Sequence, residues 1–318
     1  MREIIIPFAT GITLFLFGMQ LMRIGLMRIS GDFLHSFLYR FTKTPYHGFF
    51  TGTVATLLLQ SSSAVTVITI GLINAHLITF YQSIGIILGT NIGTVATAEL
   101  IALNIGKWAV LLLLFGAILV LFPSKNSRAI GLISGGFAII FLGMDALQMI
   151  ATPIQNSKIM QSVLAMEEHK LFIGLLFGIV ITAIIQSSSA TTAITMSMIY
   201  YQNIPLTFGI AVILGSNIGT CFTAILASIG GSIEGKQMAT AHLLLNIIGV
   251  IIFYPLIIPL ALIVQSLAEY PPTQIAHAQL IFNLVNSLII LPFVKPFAKL
   301  TILLAPKENF NIHKFWRK

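Results

Sequence analysis

Residues 57–70 read LLLQSSSAVTVITI, and residues 183–196 read AIIQSSSATTAITM. In each, a glutamine and three serines (Gln60 to Ser63, Gln186 to Ser189) interrupt an apolar run, and what that interruption means decides the fold. The setting is a chain of 318 residues that is 57% hydrophobic and 8% charged, with a mean hydropathy of +0.97. Soluble domains carry about 25% charged residues. Apolar stretches near the ~20 residues needed to cross a bilayer recur from end to end, so the composition specifies an all-α polytopic membrane protein. The alternating strands of an outer-membrane barrel are absent.

Seven stretches read as full spans: 4–22, 83–104, 108–122, 129–150, 206–229, 237–264 and 275–304. Two more, 46–80 and 170–203, contain the QSSSA motifs at their centres. From Tyr46 to Leu59 a helix reaches only about 21 Å at 1.5 Å per residue, short of the ~30 Å hydrocarbon core. Each of these two stretches is therefore expected to form a re-entrant helical hairpin, entering and leaving on one side with QSSS at its tip.

Charge placement agrees with this count. With the N-terminus outside, the inside receives Arg23, Arg28, Arg40, Lys43, Lys125, Arg128, Lys236 and the basic tail Lys307, Lys314, Arg317 and Lys318. The outside receives Arg2, Lys107, Lys158 and Lys170. That asymmetry follows the positive-inside rule and points to the cytoplasmic (inner) cell membrane, with the C-terminus cytoplasmic. The same scatter of basic residues accounts for the net charge of +8 without a nucleic-acid partner. Residues 28–44 mix Leu and Phe with Arg and Lys at helical spacing, as expected of an amphipathic helix at the cytoplasmic surface. The N-terminal stretch lacks a small-residue cleavage site and reads as the first span. One cysteine, Cys221, excludes an internal disulfide and a multi-thiolate metal site, and reads as a small buried residue.

Setting residues 52–100 against those 126 positions later gives 24 identities in 49 positions without a gap. They concentrate in QSSSA, in Thr66/Thr192 and Thr69/Thr195, and in ILGTNIGT (87–94) against ILGSNIGT (213–220). FLFGMQ (15–20) echoes IFLGMD (140–145). The chain is an internal duplication: a first repeat over 1–124, a second over 125–265, and an extra span with a basic tail over 266–318. Each unit reads span, hairpin, span, span. Three crossings is an odd number, so the second unit must be inverted, an architecture typical of secondary transporters. The extra span partly echoes the one before it: AHLLLNIIGVIIFYP (241–255) and AQLIFNLVNSLIILP (278–292) share an Asn and a terminal Pro.

Broken backbone inside a membrane must line a polar cavity or be packed in protein. At a hairpin tip the outgoing helix offers unpaired N–H groups and a positive dipole end, suited to an anion. The incoming helix ends in free carbonyls, suited to a cation. Gln, Ser and Thr add hard oxygen ligands, appropriate to an alkali or alkaline-earth ion. Small-residue helix packing is the plain alternative for one SSS run; its duplication beside a Gln, with a duplicated Asn motif, argues for a site. No G-x-S-x-G elbow or neighbouring His/Asp supports the rival reading, an intramembrane serine hydrolase. No P-loop supports ATP-driven transport, and no cofactor is expected. Glu99 and Asp145 are the acids well inside spans. Glu99, two turns beyond Asn91, is a candidate coupling carboxylate, while a neighbour-bonded structural role is equally open to it; Asp145, His242 and His277 read as structural.

The paired QSSS motifs, followed by GTNIGT and GSNIGTCFTAILAS, resemble the type II sodium-dependent phosphate cotransporter family along nearly the whole chain. The resemblance implies two hairpins meeting at the centre, with phosphate between their tips and sodium beside them. It implies phosphate contacts from Ser61, Ser62, Ser63, Ser187, Ser188 and Ser189. It implies sodium ligands from Gln186, Ser187, Thr192, Ser216, Asn217 and Thr220, with Gln60, Thr66, Asn91 and Thr94 as first-repeat counterparts. Three features depart from the family pattern. The roughly 14 residues after the last span hold no PhoU-like domain; Gln279 stands where a histidine often precedes Phe-Asn; and no acid follows the first NIGT near Lys107, where electrogenic animal members place an aspartate. The implied function is sodium-coupled phosphate transport by alternating access. Export, another oxyanion on the same fold, and a passive channel stand as alternatives, with the Na+:phosphate ratio and a monomer or homodimer left open.

Overall fold

Glycine sets how the long helices meet. The computed structural model describes residues 2–30, 33–103, 106–149, 161, 162, 165, 166, 169–201 and 204–305. Its first helix, α1 (Arg2–Ser30), lies against α7 (Lys125–Gln148) over most of its length. Gly11, Gly18 and Gly25, seven residues apart, face Gly143, Gly136 and Ala129 in turn, so the two helices run antiparallel. A Cβ on Gly18 would stand 2.6 Å from the Gly136 carbonyl oxygen, and one on Gly136 would stand 2.6 Å from that of Gly18. Small residues at this spacing let the backbones touch, as helix contacts in membranes require. Adding 125 to Gly11 and Gly18 gives Gly136 and Gly143, so the two glycine contacts exchange under the offset of the FLFGMQ and IFLGMD echo.

After the short α2 (Phe33–Phe41), which falls within the expected amphipathic segment, come α3 (Pro45–Leu59), α4 (Ser62–Asn74) and α5 (Phe80–Ile101). The start of α3 lies beside the start of α5. A Cβ on Gly85 would clash with the Pro45 carbonyl, and Gln82 Nε2 donates to the Thr42 carbonyl at 2.7 Å. Since α3 and α5 run parallel from one level, α4 has to double back between them, which puts Gln60 and Ser61 at a chain reversal. The second half has the same arrangement in α8 (Lys170–Ile185), α9 (Ser188–Tyr200) and α10 (Leu206–Ser228). Gly52 meets Ile86 and Gly178 meets Val212; Gly89 meets Phe49 and Gly215 meets Leu175. Each second pair is the first shifted by 126 residues.

The remaining helices are α6 (Ala109–Leu121), which turns back along α7, then α11 (Ile233–Phe253), α12 (Ile257–Leu267), α13 (Pro271–Ile290) and α14 (Val294–Leu304). Pairs α11–α12 and α13–α14 each continue through a 3-10 turn, at Tyr254–Leu256 and Leu291–Phe293. The cause is the proline that ends both echoed segments, Pro255 and Pro292, which removes a donor and bends the helix. The described residues thus form fourteen α-helices and no strand.

Six helical stretches are long and apolar enough to cross a membrane: Ile5–Ile29, Phe80–Ile101, Lys125–Gln148, Leu206–Ser228, Ile233–Leu267 and Pro271–Leu304. The protein is an all-α polytopic membrane protein. The expected span at 108–122 appears as Gly106–Leu121, which is shorter than the other six. At 1.5 Å per residue it covers about 24 Å, because Pro123 and Ser124 force the turn into α7. Lys158 and the four basic residues of the tail lie outside the described residues.

Candidate functional site

The two interruptions have one geometry. Gln60 and Gln186 end α3 and α8 in the left-handed region (φ 49°, ψ 33° and φ 59°, ψ 26°), a conformation uncommon for a non-glycine residue. Ser61 and Ser187 then adopt extended backbone and cap α4 and α9, each hydroxyl accepting from the N–H three residues on, Ala64 at 3.1 Å and Ala190 at 3.2 Å. Val65 and Thr191 donate to the Ser61 and Ser187 carbonyls. The N–H groups of Ser62, Ser63, Ser188 and Ser189 belong to first-turn positions and have no intrahelical partner.

The tips meet. A cavity of about 50 Å³ is lined by Gln60, Ser61, Ser62 and Ser63 from one and Gln186, Ser187, Ser188 and Ser189 from the other, with Thr94, Thr97 and Met19. The wall therefore carries six serine hydroxyls, two helix N-termini with their positive dipole ends, and no Lys, Arg, Asp or Glu. Such a surface presents donors to an oxyanion without neutralising its charge.

The expected sodium ligands fall into two groups. Gln60, Gln186, Ser187 and Thr94 line the cavity. Thr66, Thr192, Asn91, Asn217, Ser216 and Thr220 are buried and do not line it. Thr66 and Thr192 stand one helical turn behind Ser62 and Ser188, and Asn91 stands one turn before Thr94. Several of these hydroxyls give their proton to the helix itself: Thr94 to the Thr90 carbonyl (2.8 Å), Ser216 to that of Ile213 (2.8 Å) and Thr220 to that of Ser216 (2.9 Å). A hydroxyl so engaged has only lone pairs left to offer, as a cation requires. Thr66 Oγ1 and Asn91 Nδ2 are buried with no hydrogen-bond partner, at a cost of about 1–3 kcal/mol each. Turning the Asn91 amide over would present its oxygen instead.

Sequence reasoning missed two polar groups, Thr97 and Thr223, and named a third, Gln279, without giving it a place in the site. Thr97 donates to Gln60 Oε1 at 2.9 Å and Thr223 to Gln186 Oε1 at 3.4 Å, so the helix after each NIGT holds the tip glutamine. Their signal was available, since Thr97 and Thr223 are an identical pair in the duplication, one turn past Thr94 and Thr220. Gln279, which accepts from Thr192 Oγ1 at 3.2 Å, comes from the extra span and has no repeat signal.

Glu99 stands outside the cavity and is bonded to His277 Nδ1 at 3.0 Å, linking α5 to α13, with each side chain about one-third exposed (32% and 27%). Asp145 lines a separate cavity of about 370 Å³ with Lys107, Gln148, Tyr200, Tyr201 and Tyr270. Tyr201 donates its hydroxyl proton to Gln148 Oε1 at 3.1 Å beside this cavity. Cys221 is buried between Asn217, His242 and Asn246, as its reading as a small packed residue requires.

The fold and the cavity together define a class, an all-α polytopic membrane protein with an uncharged polar cavity between two interrupted helices. The chain belongs to the Na+/Pi-cotransporter family, whose profile matches residues 14–149 and 152–268. It is 37% identical over 272 residues to "Uncharacterized protein YqeW" of Bacillus subtilis, covering 86% of this chain and 89% of that one. It is 25% identical over 261 residues to "Putative inorganic phosphate export protein YjbB" of Salmonella typhimurium, covering 81% of this chain and 48% of YjbB, so it spans about half that protein. Against human "Sodium-dependent phosphate transport protein 2B" it is 33% identical over 89 residues, covering 26% of this chain and 13% of that protein. No solved structure matches.

Proposed function

We propose that the protein is a sodium-coupled inorganic phosphate transporter of the cytoplasmic membrane, working by alternating access and not by enzymatic turnover. In this reading 1–124 and 125–265 are inverted repeats, and α3–α4 and α8–α9 are re-entrant hairpins. The single observation that carries it is the meeting of the two QSSS tips at one uncharged cavity. Phosphate is bound by the hydroxyls of Ser61 to Ser63 and Ser187 to Ser189 and by the free first-turn N–H groups of α4 and α9. Sodium is bound beside it by Gln60, Thr66, Asn91 and Thr94 and by Gln186, Ser187, Thr192, Ser216, Asn217 and Thr220.

Coupling follows from charge. A divalent anion in a cavity without cationic side chains is costly to desolvate. A unit cation 4 Å away contributes about 4 kcal/mol per anion charge at an effective dielectric of about 20. Sodium in that position makes phosphate occupancy affordable, and phosphate does the same for sodium. Glu99, tied to His277, is a further coupling candidate at the α5–α13 contact. The parallel start of α3 and α5 supports re-entry, and the glycine contacts exchanged between α1 and α7 support the two-fold relation.

The test is radiolabelled phosphate uptake into proteoliposomes under an inward sodium gradient, against choline. Saturable uptake that needs sodium and is lost in Gln186→Ala/Ser188→Ala is expected. Uptake undiminished in choline would overturn the sodium assignment and move attention to protons at Glu99. Non-saturable flux without sodium would indicate a channel. The printed name of YjbB favours export as a second reading. Loaded vesicles with sodium on either face separate the two directions, and unlabelled arsenate or sulfate as competitors test the choice of oxyanion. Labelling of Ser62 or Ser188 by a fluorophosphonate would point to a hydrolase.

A further inference from the structure

The face of the first hairpin turned towards α2 carries an apolar groove of about 540 Å³. Its walls are Phe37 and Phe41 of α2 and Tyr46, Phe49, Phe50 and Val54 of α3, with Leu291 beside them and His47 and Thr51 as the polar residues of the lining. The rings stay open to the surroundings: Phe50 is 73% exposed and Tyr46 58%. Exposed apolar residues on a convex helix, such as Leu111, Leu114 and Ile118 of α6, need only fluid lipid around them. A concave aromatic slot differs, because a chain entering it is held on both sides.

The corner between α2 and α3 is basic. From Asp32 to Gln60 the sequence carries Arg40 and Lys43 against a single acid, Asp32, which lies outside the described residues. Both cations are exposed and neither is ion-paired among the described residues. Arg40 adjoins Phe41, and Lys43 precedes Tyr46 by three residues, so both cations belong to the α2–α3 corner that joins the two walls, although neither lines the groove itself. That corner is fixed: Gln82 Nε2 donates to the carbonyls of Thr42 (2.7 Å) and Lys43 (3.4 Å), and Thr44 caps α3 by accepting from the His47 N–H at 3.3 Å.

We propose that this groove is a binding site for one anionic phospholipid, with an acyl chain between α2 and α3 and the headgroup phosphate against Arg40 and Lys43. The charge complementarity selects an anionic headgroup over a zwitterionic one, since no Asp or Glu lines the groove to meet a choline or ethanolamine. The apolar slot selects a lipid over free phosphate. The site is distinct from the QSSS cavity and does not depend on the transport reading. It bears on the same element, because α3 runs from the groove to Gln60.

The test is native mass spectrometry of the full chain from detergent micelles doped equally with phosphatidylglycerol and phosphatidylcholine of identical chains. One retained phosphatidylglycerol, preferred over phosphatidylcholine by about tenfold, is expected. Arg40→Gln/Lys43→Gln is expected to remove the preference. Val54→Trp, which fills the slot and keeps both charges, is expected to remove the bound lipid, while Val54→Ala retains it and controls for folding. Equal retention of the two lipids, full retention in the Arg40/Lys43 double variant, displacement by millimolar inorganic phosphate, or a dimer formed through this face in place of lipid would each overturn the proposal.

Discussion

The two hairpins share a backbone and differ in how their polar groups are satisfied. In the first, Gln60 is buried (9% exposed) and held at both ends of its amide, by the Leu57 carbonyl at 2.7 Å and by Thr97 at 2.9 Å. In the second, Gln186 is exposed and its amide oxygen meets only the longer Thr223 bond. One turn along the relation reverses. Thr192 Oγ1 lies 2.8 Å from the Ser188 carbonyl and 3.2 Å from Gln279 Oε1, with its one proton shared between the two acceptors, whereas its counterpart Thr66 has no partner. Likewise the Asn217 amide donates to the Ile213 carbonyl at 2.8 Å, whereas the Asn91 amide is unpartnered. Duplication preserved the backbone of the two tips. The polar surroundings then diverged, partly because the extra span supplies Gln279 to one half alone.

If the tips are equivalent, Ser62→Ala and Ser188→Ala should weaken phosphate equally. Each removes a hydrogen bond to a charged ligand, worth about 1.5–3 kcal/mol, which is roughly 10- to 100-fold in apparent affinity for phosphate uptake. A defect confined to one serine would break the symmetry of the cradle. Next come the threonines. Thr192→Val leaves Gln279 Oε1 without its Thr192 donor and should destabilise the protein by about 1–3 kcal/mol in a thermal-shift assay without sodium. Thr66→Val loses no protein bond, so it should leave that stability unchanged or improved while raising the sodium concentration for half-maximal uptake. A stability loss in Thr66→Val equal to that in Thr192→Val would mean that the unpaired hydroxyl has a structural partner.

Smaller effects separate the glutamine clamps. Thr97→Val should cost about 0.5–1.5 kcal/mol, and Thr223→Val, at the end of a 3.4 Å exposed contact, should fall below that. The smallest effect is expected at the partly exposed Glu99–His277 pair, where Glu99→Gln should change stability by no more than about 1 kcal/mol. A large loss of sodium-driven uptake in Glu99→Gln with stability intact would give the pair a role in coupling.

Much of the site was legible because it rests on local chemistry. A Gln-Ser-Ser-Ser run inside an apolar stretch too short to cross twice has to be a break, and the left-handed Gln60 and Gln186 are that break. The gap-free duplication carried the pairing of α3 with α5 onto α8 with α10, down to the glycines that let carbonyls approach. The echo ending in Pro255 and Pro292 marks where two long spans bend. The stretch expected at 108–122 is matched by Gly106–Leu121, and the brevity of both has one cause, the turn at Pro123 and Ser124 that the sequence already displays.

The sequence by itself determined the membrane class, the duplicated unit and the residues at both tips, since these follow from hydropathy, length and short-range backbone chemistry. Only the tertiary structure decided that the two tips face one cavity and that Thr97 and Thr223 hold the glutamines. It also decided that Glu99 pairs with His277, and that Gln279 from outside the repeat satisfies one half and leaves Thr66 unpaired in the other. The reason is distance: these contacts join residues from 37 to 178 positions apart, and which of them meet depends on helix packing rather than on any local pattern.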